Sequence, residues 1–591
     1  MIFGKYINRY YLKYAPRLLL GLLALLAVDY FQLLIPNFYQ LIINGMNDGF
    51  VLHNGVEKVF DMDFLLDSIC LPMLFIIVII VIGRFLWRIF IFGSAIRVET
   101  DLRNVMFDHS RHLSTQYYQV NKVGNLMSLF TNDLETIHEC FGSGFLMLLD
   151  AVILGSMAII KMWNMDRVLT VFSLIPMALL LCCSTIVGNY MSKKWRARQA
   201  AFSRLSDFSQ ESFSGIAVIK AFVKETKELL AFKKLNAENE EANISFTRTA
   251  MLMRVMVILF VESVICVILG YGGYLVWKDE FNAGQLMEFI GYFTTIVWPI
   301  MAVSELIDLT ARGKASLSRV SELLDATVDV KDAKFVRPLT DPKGSIEFRN
   351  LTFRYPDGEY DVLKDVSFTI EAGENVGLAG RTGSGKTTIV DLILRSYNVP
   401  DGCIFIDGQD INTLSIRSVR DACAYVPQDN FLFSDTIENN ISFGVDSSDR
   451  EAVRSAAVLA DVDGNISDFS EGYATVLGER GVTVSGGQKQ RISIARALMR
   501  DAAILILDDS VSAVDTKTER AILENLRRTR AGRSTILIAH RVSTIEQMDK
   551  IIFIDEGRIA AVGSHQELYE SCGAYRKMVE LQRLEEEGGL D

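Results

Sequence analysis

Six long apolar runs constrain this chain more than any other feature of it. They lie at residues 18–43, 69–96, 144–162, 168–188, 255–277 and 285–307. Each can cross a hydrocarbon core, which takes about 20 residues of helix. Such runs stop after Leu309, and the remaining text alternates strand-like and helix-like segments, as a soluble α/β domain does. A mean hydropathy of +0.24 over 591 residues agrees with half of the chain being a membrane domain. The expected fold class is therefore an all-α membrane domain of six helices followed by an α/β domain. Its divisions are 1–325 for the helical part, 326–344 for a linker and 345–591 for the soluble part.

The loops orient the bundle. Residues 97–141 and 190–248 are long, polar and helix-forming, and the second carries Lys193, Lys194, Arg196, Arg198, Arg204 and further lysines. The loop at 45–67 has one lysine against several acids, so the positive-inside rule puts both long loops and both termini in the cytoplasm. Runs three and four, and runs five and six, are joined by only a few residues and are expected to be tight hairpins. Asp29 inside the first run, with no small-residue cleavage site after it, marks a retained span and not a signal peptide. Lys5, Arg9, Tyr10, Tyr11, Lys13 and Tyr14 suit a short helix at the cytoplasmic surface. The eight cysteines form no CxxC pair, which argues against a zinc site or a disulfide framework. A net charge of −12 offers no field for nucleic acid phosphates, so a nucleic acid partner is not expected.

The soluble half carries phosphate chemistry. A buried strand at 376–379 leads into Gly380, Arg381, Thr382, Gly383, Ser384, Gly385, Lys386, Thr387 and Thr388, followed by an amphipathic helix. This is the P-loop pattern in its strand–loop–helix context. Its glycines let backbone N–H groups close around phosphate oxygens at a helix N-terminus. Lys386 is expected to neutralise the β- and γ-phosphates of ATP, and Thr387 to ligate Mg²⁺. A second apolar strand, 504–507, delivers Asp508 and Asp509 at its carboxyl end, where a metal beside the P-loop needs a carboxylate. Asp508 is the expected metal-side acid. Between these motifs, Ser485, Gly486, Gly487 and Gln488 precede a helix and form a second anion site. One triphosphate does not need two such sites, so the second is expected to face another molecule's nucleotide.

These residues, in this order, closely resemble the ATP-binding cassette (ABC) transporters of the exporter type, over nearly the whole chain. The resemblance identifies Gly380 to Thr388 as Walker A, Gln428 in Tyr-Val-Pro-Gln as the Q-loop, and Gly478-Glu479-Arg480-Gly481 as the segment before the signature Ser485 to Gln488. It also identifies Asp508 as the end of Walker B, Ser512 to Asp515 as the D-loop, and His540 as the switch histidine. It implies that Tyr355 stacks on adenine, that His540 bonds the γ-phosphate, and that Gln428 links the metal to the membrane loops. Residues 124–133 and 215–222 look like the family's two intracellular loop segments. In such proteins two halves sandwich two ATP molecules, each between one half's Walker A and the other's signature.

One position departs from the family pattern. Glu usually follows the Walker B aspartate and polarises the attacking water; this chain has Asp509. The carboxylate is retracted by about 1.5 Å, and a misplacement of ~1 Å can cost about 100-fold in rate. The site built on this chain is therefore expected to bind ATP and hydrolyse it poorly. Its signature, intact apart from Val484 where Leu is common, is expected to serve a partner half that carries Glu. That asymmetry resembles heterodimeric bacterial multidrug exporters, which implies a bacterial plasma membrane and a hydrophobic or amphipathic cargo. A homodimeric lipid or peptide exporter is the alternative. Asp29, Asp150, Glu262, Glu288 and Glu305, with aromatic neighbours such as Tyr30, Tyr292 and Trp298, are candidates for contact with cationic cargo. Pro299 interrupts the sixth run and is expected to kink it.

Overall fold

The computed structural model describes residues 3–588 apart from 54–55, 448, 479–480, 482 and 540. It divides into two compact units, Met1–Arg111 with Val123–Ala326, and His112–Lys122 with Thr327–Asp591.

The first unit is helical. A short helix α1 (Asn8–Lys13) precedes α2 (Ala15–Gln32) and α3 (Ile35–Asp48). A two-stranded antiparallel hairpin, β1 (Phe50–His53) and β2 (Val56–Val59), leads on to α4 (Leu71–Ser110). The long helices α5 (Leu134–Met165), α6 (Arg167–Ser214), α7 (Glu225–Trp277) and α8 (Ala283–Asp325) complete it. Among the described residues, five segments are long and apolar enough to cross a membrane: Ala15–Asp48, Met62–Ser110, Val123–Met165, Glu225–Trp277 and Ala283–Asp325. In α6 the described apolar stretch is Arg167–Leu180.

The first apolar run is not one helix. Pro36, near the start of α3, lacks the N–H that an unbroken helix would need, and the chain breaks at Leu33 and Leu34. α8, by contrast, is one helix through Pro299, so the expected interruption does not divide it. The tight outer turns are made by caps. Asp166 accepts from the Leu169 N–H at 2.6 Å to open α6, and Asn282 forms a reciprocal capping box with Gln285 to open α8.

Small residues set the packing. α2 lies against α4 where a Cβ on Gly83 would come within 2.5 Å of the Val28 side chain, and α3 lies against α8 where one on Gly291 would meet Pro36 at 2.8 Å. α6 and α7 pair along their length, yet only 11% of α7's apolar window is buried, which leaves that surface for lipid or another subunit. The N-terminal segment is docked and not free at the surface. Ile7 and Tyr10 are buried, the Tyr11 ring stacks on Phe141 at 4.5 Å, and Lys5 and Tyr6 both hold Asp325 at 2.6 Å.

The second unit contains two sheets. The larger has the order β12-β11-β5-β10-β9-β8. Its strands are β5 (Asn375–Gly380), β8 (Cys423–Val426), β9 (Ile504–Asp508), β10 (Ser534–Ile538), β11 (Lys550–Asp555) and β12 (Arg558–Gly563). All pairings are parallel except β11 with β12. β9 and β10 are buried at every residue because both faces of a parallel sheet are covered. The smaller, antiparallel sheet has the order β4-β3-β6-β7, built from β3 (Ile346–Phe353), β4 (Leu363–Ile370), β6 (Ile404–Ile406) and β7 (Gln409–Asp410). Phe348 and Phe368 stack across β3 and β4 at 4.5 Å. The short helix Thr115–Val120 belongs to this unit, where Tyr397 donates to Gln119 Oε1 at 2.7 Å.

Candidate nucleotide site

The loop after β5 and the ends of β9 and β10 meet at the carboxyl edge of the large sheet, where parallel α/β sheets bind ligands. Gly380, Gly383 and Gly385 have φ of 153°, 82° and 102°. At Gly380 a Cβ would come within 2.3 Å of the Ile554 carbonyl oxygen, so the loop cannot be built with a side chain there. Helix α9 (Lys386–Ile393) starts directly after the loop. Lys386 is 6% exposed and turns its ammonium back into the loop, donating to the carbonyls of Gly380 at 2.8 Å and Arg381 at 3.0 Å. Burial pulls its pKa down, against the opposing pull of Asp508 and Asp509. Ser384 Oγ is buried and makes no hydrogen bond to any described residue. Thr387 is exposed, while Thr388 is buried.

Asp508 ends β9 at 1% exposure. Asp509 follows in the left-handed region at φ 46°, its N–H bonded to the Ile538 carbonyl of β10 at 2.9 Å. A short polar side chain tolerates that conformation better than a longer one.

Ser485 caps helix α10 (Gly486–Met499) in a capping box: it accepts from the Gln488 N–H at 3.3 Å, and Gln488 Oε1 accepts from the Ser485 N–H at 2.9 Å. Ser485 and Gly486 are exposed, so the helix N-terminus is open to an anion. The same helix carries Gln490, which sequence reasoning passed over. It is 6% exposed, accepts from the Ala513 N–H at 3.0 Å and donates towards the Asp509 carbonyl at 3.4 Å. The signature helix is thus clasped to the segment that follows Walker B. In the sequence this residue is only a glutamine within a helix-forming stretch, and that does not name its partner.

Tyr355 sits beside the start of α9. Its hydroxyl bonds to Thr388 Oγ1 at 2.8 Å, and its ring packs edge-on against Phe353 and Tyr397 at 5.2 and 5.0 Å. Gln428 is exposed, two residues past β8. His540, Glu479 and Arg480 lie outside the described residues.

Asp391 in α9 is a further group the motifs did not signal. Burial, and next the charge of Asp508, push its carboxyl up to about 6, against a hydrogen bond from Ser396. Raising a carboxyl pKa on folding means that the native state binds more protons than the unfolded chain between about pH 4 and 6, so stability falls as pH rises through that window. Replacing Asp391 with Asn is expected to flatten the dependence and raise stability at pH 7 by up to about 2 kcal/mol. Thermal melting of both proteins between pH 4.5 and 7.5 checks this; parallel curves would refute it.

Residues 18–300 match the ABC transporter transmembrane region, and residues 363–512 match the ABC transporter family. The probable multidrug resistance ABC transporter ATP-binding/permease protein YheI of Bacillus subtilis is 36% identical over 99% of this chain and 98% of its own length. The chain belongs to the ABC transporters. The multidrug resistance-like ATP-binding protein MdlA of Escherichia coli is 34% identical over 98% of this chain and 96% of its own. The structure of a bacterial Atm1-family ABC exporter with ATP bound matches at a TM-score of 0.75 and 25% identity, covering 98% of both chains. As an ABC transporter, the protein is a multi-pass membrane protein that couples ATP hydrolysis to transport, and its ATPase domain is cytoplasmic. ATP suits the loop on the geometry alone. Among the described residues the buried Ser384 hydroxyl has no partner, and the Lys386 ammonium bonds to two carbonyls that a phosphate can replace.

Proposed function

We propose that the chain is one half of a heterodimeric exporter of hydrophobic or amphipathic compounds, in which most hydrolysis occurs on a different partner half. Residues 1–325 form its transmembrane domain, 326–344 a linker and 345–591 its nucleotide-binding domain. The observation that carries the proposal is Asp509, a short carboxylate held in left-handed backbone at the position of the general base. The names of its relatives YheI and MdlA, both described as multidrug resistance proteins or resembling them, support the cargo class.

In this chain's own site, the N–H groups of residues 381–387 and Lys386 would hold the ATP phosphates, and Tyr355 would pack on the adenine. Asp508, Thr387 and Gln428 would hold Mg²⁺, which supplies charge neutralisation between the β- and γ-phosphates. His540 would bond the γ-phosphate. Asp509 would orient water from too far back for efficient proton removal. Ser485 to Gln488, on an exposed helix N-terminus, would close over the nucleotide held by the partner.

The test is Mg-ATPase activity in nanodiscs, for this chain alone and co-expressed with candidate halves that carry Glu after Walker B. Activity alone is expected to be about 100-fold below that of the pair. Brisk turnover by the chain alone would instead mean a homodimer in which Asp509 is an adequate base.

A further inference from the structure

Four membrane helices bring polar groups together. They are Asp29 on α2, Arg84 on α4, Asp150 on α5 and Trp298 on α8. Trp298 donates its indole N–H to Asp150 Oδ2 at 2.8 Å. Asp29 is 2% exposed, its Oδ2 receives no hydrogen bond from any described residue, and the Asp150 carboxyl lies beside it. Arg84 is near both acids, although its hydrogen bond goes to Gln32 at 3.3 Å. The next cations are engaged elsewhere: the Arg88 guanidinium lies over the Trp87 ring, and Lys161 lies towards Glu288.

The charges in this cluster do not balance. Two carboxylates and one guanidinium leave one negative charge in a region where an uncompensated charge is expensive. Two carboxyl groups can face each other only with a proton or another cation between them. Trp298 is 52% exposed with its N–H already used on Asp150, so its ring face is available to a cation held by the pair.

We propose that Asp29 and Asp150 form a binding site for one lipophilic monocation, which takes the place of a proton shared between the two carboxyl groups. The proposal rests on the export reading above and names a class of cargo for it. The exchange is balanced: the singly protonated pair gains one organic cation and releases one proton, so the net charge of the site is unchanged. Binding of such a cation strengthens as pH rises, by up to tenfold per unit while the pair carries the proton. A neutral compound of similar shape shows no such dependence.

The experiment uses this chain with its co-expressed partner half in nanodiscs. Binding of tetraphenylphosphonium and of neutral triphenylphosphine oxide is measured by equilibrium dialysis from pH 6 to 8, with proton release followed by a pH dye. For the unaltered transporter, close to one proton is expected to leave per bound cation. In Asp29→Asn and Asp150→Asn, cation affinity is expected to fall at least tenfold and proton release to vanish, with Asp29→Glu recovering part of both. Binding of the neutral probe persists in all variants and reports an intact protein. If both probes bind and neither variant alters cation binding, the carboxylate site is overturned while the export reading stands. Equal loss of both probes in both Asn variants, with no recovery in Asp29→Glu, overturns it in favour of a structural role. If the unaltered transporter binds neither probe, both the site and the export reading fall.

Discussion

Gly486→Asp in this chain, co-expressed with a partner half, will lower steady-state ATP hydrolysis about 100-fold without lowering the melting temperature. The expectation follows from where Gly486 sits. It is the first residue of α10, exposed, and a Cβ added there meets nothing within 4 Å. The substitution therefore fits sterically. A carboxylate in the first turn is favourable to the helix by about 0.3–1 kcal/mol. The same charge repels a triphosphate approaching that N-terminus. A loss of about 100-fold in rate corresponds to about 2.7 kcal/mol of transition-state stabilisation, within the range for removing one anion-stabilising group. The neighbouring Gly487 would be a poor probe, because a Cβ there would press on the Ala513 carbonyl at 3.0 Å. ATPase rates and thermal melts of the pair check the prediction. Undiminished turnover would mean that this signature serves no productive site.

The second expected effect is a gain. Asp509→Glu should raise the ATPase rate of this chain alone by about 10- to 100-fold, since it restores about 1.5 Å of reach to the carboxylate. The gain is limited by the backbone. Residue 509 is held at φ 46° by its N–H bond to Ile538, and a longer side chain in that region costs about 1 kcal/mol more than Asp. A small fall in melting temperature is expected alongside faster turnover. Single-turnover and steady-state assays of the purified variant measure the first effect, and calorimetry the second. A variant as slow as the parent would place the defect of the site elsewhere than at Asp509.

The two halves were not equally open to sequence reasoning. Membrane helices declare themselves because a bilayer demands length and apolarity from each segment separately, and five of the described segments meet that demand. The break at Leu33 and Leu34 was also local, since Pro36 carries its cause, yet the apolar run around it hid the signal. The P-loop was legible because its glycines serve local backbone needs: φ values of 82° and 102° at Gly383 and Gly385 belong to single residues. The left-handed backbone at Asp509 was not, because it is imposed by β10, which pairs with β9 from about 30 residues further on.

Length, apolarity and the order of short motifs thus determined the membrane and nucleotide halves and the family to which the chain belongs. Each of those features is decided by a residue and its near neighbours in the chain. The tertiary structure alone decided which distant groups share a site. It set Asp29 against Asp150, clasped Gln490 to the segment after Walker B, and tied Lys5 and Tyr6 to Asp325. Contacts of this kind depend on how whole helices pack, and packing is settled by shape and burial summed over many residues, which no single stretch of sequence carries.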